Sequence, residues 1–380
     1  MPISEQINFC PLPFAHTMLD TTGTYQICCQ HTTPLPHQLN IREARLDQWK
    51  KSAYVEEVKR SFINNQQHPG CNNCWQTESL EQTSYRQLVA NDYISIFKVN
   101  HNTDHLVDVE LQLGNLCNLT CLMCNESASS AILAENKRLG VNRHDQSEFV
   151  WGDSTFDNLK HLLDLEPNTL TIRGGEPLYN KLLLNLLEQL PEQVCRKMML
   201  HITTNATVWN DRWANTIKKF KLVRFMFSLD ATKDLFEYIR FPGQWALVEN
   251  NVKHISKINN VKPLIHCTVQ NLNIGRIGDI IRWSMEQNIW LNFFQLIDPP
   301  HFYITVLPLS HKARVLEHLD DCLAIPQLPA HLENFISSCR SQIIESLSTQ
   351  QDHVLWQQCL DYLEPRDTLR GNSHRTVFTY

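Results

Sequence analysis

The sequence lacks the segments that export a protein or hold it in a membrane. Its first residues, MPISEQINFCPLPF, contain no basic region followed by a long apolar run, so they do not read as a signal peptide. The longest apolar stretches, such as IWLNFFQLI, are too short to cross a bilayer as a helix. We therefore expect a cytoplasmic protein with no membrane partner.

The sequence also lacks a basic tract and an excess of positive charge. The 380 residues carry a formal net charge of −6, and only the last stretch, RDTLRGNSHRTVFTY, is locally basic. This balance gives no long-range attraction to nucleic acid or to an anionic membrane surface. Nucleic acid is therefore disfavoured as a partner, and the ordinary apolar content of 42 % indicates a globular protein.

Cysteine, in contrast, is abundant, with 13 residues. In a reducing compartment disulfides are disfavoured, so clustered cysteines indicate a metal site. One cluster comprises Cys117, Cys121 and Cys124, and a second group, Cys10, Cys28, Cys29, Cys71 and Cys74, lies in the first part of the chain. The remaining cysteines are isolated and are expected to be small buried apolar residues.

From residue 105 onward, short apolar runs alternate with amphipathic stretches. The runs are VDVELQL (107–113), TLTIRG (169–174), LHITTN (200–205), LVRFMFSLD (222–230), PLIHCTV (263–269) and IWLNFFQLI (289–297). Strands that alternate with helices predict parallel β/α units, and six in a row predict an α/β fold with a partial (β/α)6 parallel barrel. The polar turns after the strands should then meet at one mouth.

The segments on either side of the barrel have different patterns. Residues 1–104 combine a hairpin turn near Gly23 with helical segments, which predicts a small α+β module. Residues 105–308 form the predicted barrel. Residues 309–380 contain amphipathic helical stretches with no strands between them, which predicts a helical extension.

The stretch LGNLCNLTCLMCNESASS directly follows the first predicted barrel strand. Its cysteines, Cys117, Cys121 and Cys124, have the spacing C-x3-C-x2-C. Three thiolates on one loop can hold three corners of a cuboidal iron–sulfur cluster, which usually requires four cysteines. An iron without a protein ligand can bind a small molecule, as the open position of a catalytic metal site does. The alternative is a zinc knuckle that misses one ligand.

The motif CNLTCLMC, followed one strand later by the turn GGEP, resembles the signature pair of the radical S-adenosylmethionine (SAM) superfamily. The resemblance covers about residues 105–300 and implies a [4Fe–4S] cluster held by Cys117, Cys121 and Cys124. It implies that the open iron binds the amino and carboxylate groups of SAM. One electron then cleaves SAM to methionine and a 5′-deoxyadenosyl radical, which abstracts hydrogen from a substrate.

The same resemblance assigns SAM contacts to residues that follow the strands. Within GGEP, glycine allows close backbone approach and the carboxylate can accept from the SAM ammonium. Met123 occupies a position where the family often has an aromatic residue beside adenine. The residues that end later strands could bind the ribose or the methionine end, and Arg240 could pair with the SAM carboxylate. The full set is Met123, Gly174, Gly175, Glu176, Pro177, Asn205, Ser228, Asp230 and Arg240. For the strand-end residues the alternative is turn chemistry.

The first part of the chain offers a complete four-cysteine set. Cys10 and Cys28 flank the predicted hairpin, and Cys71 and Cys74 form a C-x2-C pair. Either Cys28 or Cys29 could serve, because adjacent strand residues point to opposite faces. From the cysteines alone, structural zinc and an iron–sulfur cluster are both compatible with this set.

This segment resembles the twitch or SPASM modules that accompany many radical SAM enzymes, through CPLPF, TGTYQICC and CNNC. The stretches CWQTESLEQTSYRQLVAND and RDTLRGNS resemble twitch-bearing members of undefined activity. Here the module precedes the barrel instead of following it, and the additional cysteines of the SPASM form are absent. The resemblance therefore implies one auxiliary [4Fe–4S] cluster.

Together these features predict a radical SAM oxidoreductase with one auxiliary cluster that assists oxidation. The resemblance implies a flavodoxin- or ferredoxin-type electron donor. The substrate is expected to be a peptide or protein side chain, or else a small metabolite. The alternative class is a non-catalytic iron–sulfur or zinc protein that serves electron transfer or structure.

Overall fold

The computed structural model describes residues 8–80, 82–89, 106–150, 155–348, 353–376 and 378. The six predicted barrel strands are confirmed, and two further strands precede them. The strands are β1 (His16–Leu19), β2 (Tyr25–Gln26), β3 (Asp108–Gln112), β4 (Thr169–Arg173), β5 (Met199–Thr204), β6 (Leu222–Ser228), β7 (Val261–Val269) and β8 (Trp290–Gln295). They form one mostly parallel sheet in the order β2-β1-β3-β4-β5-β6-β7-β8.

Helices connect the strands, as expected for β/α units. Those up to β7 are α1 (Leu12–Ala15), α2 (Leu46–Lys50), α3 (Ala53–Ile63), α4 (Asn72–Ser79), α5 (Ser130–Arg138), α6 (Phe156–Asp164), α7 (Lys181–Gln189), α8 (Glu192–Cys195), α9 (Asp211–Ile217), α10 (Lys233–Ile239) and α11 (Trp245–Ile255). After β7 come α12 (Ile277–Glu286), α13 (Leu309–Leu323), α14 (Ala330–Glu345) and α15 (His353–Arg370). Residues 85–89 are also helical.

Beyond the predicted boundary at residue 308, the described chain continues through the helices α13, α14 and α15. The other predicted boundary, between residues 104 and 105, lies outside the described residues. Among the residues that the structure describes, no helix has the length and apolar character needed to cross a membrane.

Contacts within the chain define two compact units that are not continuous in sequence. The first unit comprises Met1–Cys117, His144–Ile202 and Asp211–Val223. The second unit comprises Asn118–Arg143, Thr203–Asn210 and Arg224–Tyr380.

In the first unit, the hairpin predicted near Gly23 is confirmed. β1 and β2 pair antiparallel, with Leu19 opposite Tyr25, and Gly23 takes a φ of +86° in the turn between them. β1 also pairs in parallel with β3, which the sequence does not predict. The parallel ladder continues from β3 to β4 and from β4 to β5.

The strands of the first unit have one apolar and one polar face, as the period of two residues requires. Val109 and Leu111 of β3 lie opposite Leu170 and Ile172 of β4, and all four side chains are fully buried. The intervening positions are polar, and Glu110 lies opposite Thr171. The apolar face therefore supplies the core, and the opposite face is polar.

In the second unit, a side-chain cap fixes where the first helix begins. The Ser129 Oγ accepts a hydrogen bond from Ile132 N (3.2 Å) and donates one to Leu119 O (2.7 Å). Serine is a preferred N-cap because its oxygen satisfies a backbone N–H that the helix leaves without a partner. This cap therefore joins the start of α5 to the preceding irregular segment.

The turn that follows β4 lies directly against the segment that follows β3. Gly174 and Gly175 have φ values of +82° and +55°, which L side chains rarely adopt. A Cβ atom at Gly175 would lie 2.3 Å from Leu116 O. The chain therefore needs glycine at residue 175 both for its backbone conformation and for the close approach.

These contacts predict a matched pair of alanine variants. Gly140→Ala should lower the free energy of unfolding by about 1 kcal/mol, because Gly140 also has a positive φ (+71°) but nothing within 4 Å of its added Cβ. Gly175→Ala should lower it by about 1–3 kcal/mol more, because its Cβ meets backbone. Urea unfolding of the iron-free proteins, followed by circular dichroism, measures both values. Equal losses for the two variants would contradict the packing argument.

Candidate functional site

The first half of the three-cysteine segment lies in the first unit and is held by the GGEP turn. Glu176 N donates to Leu116 O (2.8 Å), the carbonyl of the residue that precedes Cys117. The Glu176 side chain is buried and accepts from Leu178 N (2.9 Å), so it caps the short 3-10 helix Pro177–Tyr179. The GGEP turn thus contacts the residue that directly precedes the CNLTCLMC motif.

The second half of the segment lies in the second unit, where Arg240 faces Cys121. Arg240 Nη1 lies 3.8 Å from Cys121 Sγ, and its Nε donates to Asp230 Oδ2 (2.7 Å). The other Asp230 oxygen accepts from Thr268 N (2.9 Å). Cys124 and Met123 are half-buried in the adjoining turn. Arg240 and Asp230, both predicted from the sequence, therefore form one buried ion pair beside a cysteine of the motif.

This ion pair controls the electrostatics around Cys121. Burial raises the pKa of the Cys121 thiol, and the Arg240 charge opposes that rise. Burial lowers the pKa of Arg240, but Asp230 and Cys121 more than compensate, so its pKa lies above the ordinary value. The guanidinium is therefore a fixed positive charge that favours a thiolate at Cys121.

Asn205 lies at the end of β5, also in the second unit, and its amide group is fully engaged in a local network. Its Nδ2 donates to Asn118 Oδ1 (3.1 Å), and its Oδ1 accepts from both the backbone N (3.0 Å) and the Oγ1 (2.6 Å) of Thr207. Asn118 Nδ2 in turn donates to Thr207 Oγ1 (2.9 Å). Asn205 is thus joined to the residue after Cys117. Ser228 is half-buried at the end of β6.

The polar face of the first unit contains a charged pair that the sequence does not single out. Arg173 Nη2 donates to Glu110 Oε2 (2.8 Å), and Gln112 Nε2 lies 3.4 Å from Glu110 Oε1. Glu110 is buried, whereas the Arg173 side chain is 41 % exposed. These groups can bind a polar ligand through the exposed part of the guanidinium.

The four cysteines of the predicted amino-terminal site, Cys10, Cys28, Cys71 and Cys74, line one small cavity in the first unit. Half of its other lining residues are apolar (Leu12, Pro13, Ile27 and Phe62), and the rest are Gln30, His31, Tyr85 and Arg86. Cys29 is exposed and does not belong to this lining. Of the two adjacent cysteines, Cys28 therefore faces the other three.

Burial keeps the Cys10, Cys28 and Cys71 thiols protonated in the absence of a metal. It raises the pKa of Cys71 to about 12 and also raises the pKa of Cys10 and of Cys28. Arg86 lies near the group and is held by Glu78 (Nε to Oε1, 3.0 Å) and by Phe9 O (2.9 Å). Metal binding would displace the thiol protons and place negative charge beside this arginine.

His31 links the cavity to a second layer of polar groups. Its Nδ1 lies 3.4 Å from Cys71 Sγ, and its Nε2 lies 2.9 Å from the Tyr54 hydroxyl. Burial, followed by the nearby His68, lowers the pKa of His31 to about 4. Gly70 makes room for the ring, because a Cβ at that position would lie 2.5 Å from His31 Cε1. The His31 ring is therefore uncharged at neutral pH and lies beside the four cysteines.

Both cysteine sets suit iron–sulfur chemistry. Thiolates are the usual ligands of such clusters, four for a closed cluster and three where one iron stays open. The four-cysteine cavity is lined partly by apolar groups, and Gly175 leaves space for backbone beside the three-cysteine segment. In the described parts of the chain, no three His, Cys, Asp or Glu side chains are grouped so as to hold a single metal ion.

Comparison with known proteins places the family match on the barrel. Residues 111–283 match the model of the radical SAM superfamily. A GTP 3′,8-cyclase from Desulforamulus reducens is 24 % identical over 206 residues, which cover 52 % of this chain and 57 % of that protein.

Two solved structures are also similar. One is anSMEcpe with bound AdoMet (TM-score 0.40, 19 % identity, 57 % of this chain and 59 % of that chain). The other is Streptococcus suis SuiB bound to the precursor peptide SuiA (TM-score 0.39, 17 % identity, 71 % and 60 %). In all three cases the match spans less than two thirds of the other protein's length. The family match includes Cys117, Cys121, Cys124 and the GGEP turn, and residues 111–283 of this chain therefore form a radical SAM superfamily domain.

Proposed function

We propose that this protein is a radical SAM oxidoreductase with one auxiliary iron–sulfur cluster. The observation that carries the proposal is the contact between GGEP and the residue before Cys117, through Gly175 and Glu176. It brings the GGEP turn against the residue that directly precedes the CNLTCLMC motif. The division into an auxiliary module (1–104), a barrel (105–308) and a helical extension (309–380) belongs to the same proposal.

In this proposal, Cys117, Cys121 and Cys124 hold a [4Fe–4S] cluster that, when bound, supplies the electron for reductive cleavage of SAM to a 5′-deoxyadenosyl radical. Gly174, Gly175, Glu176 and Pro177 line the methionine end of SAM. Met123 lies on the adenine side, and Asn205, Ser228 and Asp230 orient the ribose or the amino acid. The Arg240 guanidinium is already bound to Asp230, so it offers only its remaining N–H groups to a carboxylate.

Cys10, Cys28, Cys71 and Cys74 would hold the auxiliary [4Fe–4S] cluster, which supplies an acceptor for the electron that substrate oxidation releases. His31 and Arg86 lie beside these cysteines and would influence its potential through hydrogen bonding and charge. The twitch resemblance supports this assignment over structural zinc, and the common cavity supports the set of four cysteines.

The proposed substrate lies over the polar face of β3 and β4. Glu110 and Arg173 present a carboxylate and a partly exposed guanidinium there. Cys29 and Tyr85 are close enough that these two charges act on their pKa values, which burial raises. This face therefore adjoins the segment with the auxiliary cysteines. A peptide or protein side chain is the first candidate substrate, because twitch-like modules accompany peptide-modifying enzymes.

A small metabolite is the second candidate substrate. The similarity to a GTP 3′,8-cyclase favours it, since that protein's name specifies a nucleotide and a cyclisation. A flavodoxin- or ferredoxin-type protein would deliver the electron. A cytoplasmic location fits this requirement for a reducing partner.

The triple variant Cys117→Ala/Cys121→Ala/Cys124→Ala tests the catalytic cluster. After anaerobic reconstitution and reduction with SAM, wild type should form 5′-deoxyadenosine and the variant should form none, because the open iron is lost. Chromatography of 5′-deoxyadenosine and iron counting measure the effect. Wild type should hold about eight irons per chain and the variant about four.

A control variant removes three thiols elsewhere, at Cys195, Cys322 and Cys339, which are buried and lie outside both cysteine sets. It should retain SAM cleavage. A reconstituted wild type that binds iron but leaves SAM intact would instead support the non-catalytic electron-transfer class. Zinc in place of iron would support a structural role.

The double variant Cys71→Ala/Cys74→Ala tests the auxiliary cluster. It should hold about four irons per chain and still release 5′-deoxyadenosine, but it should form no oxidised product, because the electron acceptor is gone. Iron analysis measures the cluster content, and product analysis measures substrate oxidation. Cys29→Ala, at an exposed thiol outside the cavity, should keep the wild-type iron content. Full product formation by the double variant would rule out the redox role.

A further inference from the structure

The backbone on either side of Cys121 is held from two directions within the second unit. On one side, Thr120 N donates to Phe241 O (2.6 Å) and Leu122 N donates to Ile239 O (3.0 Å). On the other side, two side chains of α15 donate to the carbonyls of the same two residues. Arg370 Nη2 reaches Thr120 O (2.7 Å), and the Tyr362 hydroxyl reaches Leu122 O (3.0 Å). All four backbone groups that flank Cys121 are therefore satisfied.

Arg370 cannot easily leave this position, because it is also one half of a buried ion pair. Its Nε donates to Glu135 Oε1 and its Nη2 to Glu135 Oε2, both at 2.7 Å. The Arg370 and Glu135 side chains are only 2 % and 6 % exposed. Removing Glu135 would leave the buried Arg370 charge without its carboxylate, whereas Glu135 has a second cationic partner in Arg366, whose Nε lies 3.4 Å from Oε2. The pair thus fixes the fork of donors that points at Thr120.

Two further residues of α15, Arg366 and Asp367, contact groups that lie near Cys121. Asp367 Oδ1 accepts from the Tyr238 hydroxyl (3.0 Å), and Tyr238 lies two residues before Arg240, whose guanidinium faces Cys121. Arg366 lies over the Tyr362 ring, with its Cζ 3.6 Å from the ring centroid. The stretch RDTLRGNS (366–373), which the sequence leaves without a role, begins in α15 and supplies Arg366, Asp367 and Arg370 to these contacts.

We propose that Tyr362, Arg370 and Glu135 form a clamp that positions Cys121 for cluster binding, and that the clamp controls how firmly iron is held and at what potential it is reduced. These are positioning residues, because they act through the backbone of Thr120 and Leu122. Loss of the clamp frees the two carbonyls and lets the Cys121 side chain change direction. The inference rests on the proposed function, since it takes Cys121 as a cluster ligand.

The decisive variant is Tyr362→Phe, which deletes one hydroxyl and keeps the ring beneath Arg366. Its control is Tyr303→Phe, which deletes a hydroxyl that donates to Ile297 O (2.6 Å) elsewhere in the second unit. Both are made in the full chain with Cys71 and Cys74 already replaced by alanine, so that iron reports on the remaining site. Arg370→Lys, which keeps the charge but not the fork, is a third variant.

The measurements are the rate of iron loss to a chelator under anaerobic conditions, the midpoint potential and the electron paramagnetic resonance spectrum of the reduced protein. Tyr362→Phe should lose iron about three- to tenfold faster than its parent, which corresponds to one hydrogen bond, with a shifted potential and spectrum. Arg370→Lys should change in the same direction. Tyr303→Phe should match the parent in all three.

Unchanged iron loss, potential and spectrum in both Tyr362→Phe and Arg370→Lys would overturn the clamp while leaving the proposed function intact. A parent protein whose iron does not depend on Cys117, Cys121 and Cys124 would overturn the proposed function and the clamp together. Thermal unfolding of the iron-free variants separates global destabilisation from the local effect. If Tyr303→Phe changes as much as Tyr362→Phe, the effect is not specific and the clamp is wrong.

Discussion

An irregular segment must find hydrogen-bond partners for its backbone outside itself, and this constraint governs the three-cysteine segment. Residues 113–129 form neither helix nor strand. Glu176 binds the carbonyl of Leu116, and the 239–241 segment and side chains of α15 bind the N–H and C=O groups of Thr120 and Leu122. Buried backbone groups without partners are costly, so these contacts determine the conformation of the segment.

The side chains of β3 and β4 are divided between an apolar face and a polar face. Leucine, isoleucine and valine on one face form the core, and the other face is polar. That face can therefore carry Glu110 and Arg173, an ion pair that a core would tolerate poorly. The four amino-terminal cysteines face one small cavity in the same unit, lined partly by apolar side chains. The apolar face of these strands thus supplies the core, and the polar face carries the charged side chains.

Local patterns in the sequence were sufficient to predict the six barrel strands, the hairpin at Gly23 and the helices after residue 308. The periodicity of apolar residues and the residue types of turns extend over only a few positions, so they can be recognised directly in the sequence. The parallel pairing of β1 with β3 could not be read, because it joins His16 to Asp108 across a long intervening chain. The role of Tyr362 and Arg370 was equally hidden, since neither residue is near the cysteines in sequence. The pairing of Arg240 with Asp230 was missed because both were considered only as contacts for SAM.

The contacts that hold Cys121 also have a consequence in time. Tyr362 and Arg370 follow their partners, Leu122 and Thr120, by 240 and 250 residues. At ordinary rates of protein synthesis this separation takes roughly 10–50 s. During that interval the newly made cysteine segment exists without the side chains that later bind its carbonyls. Its final conformation is therefore reached only after translation has passed residue 370.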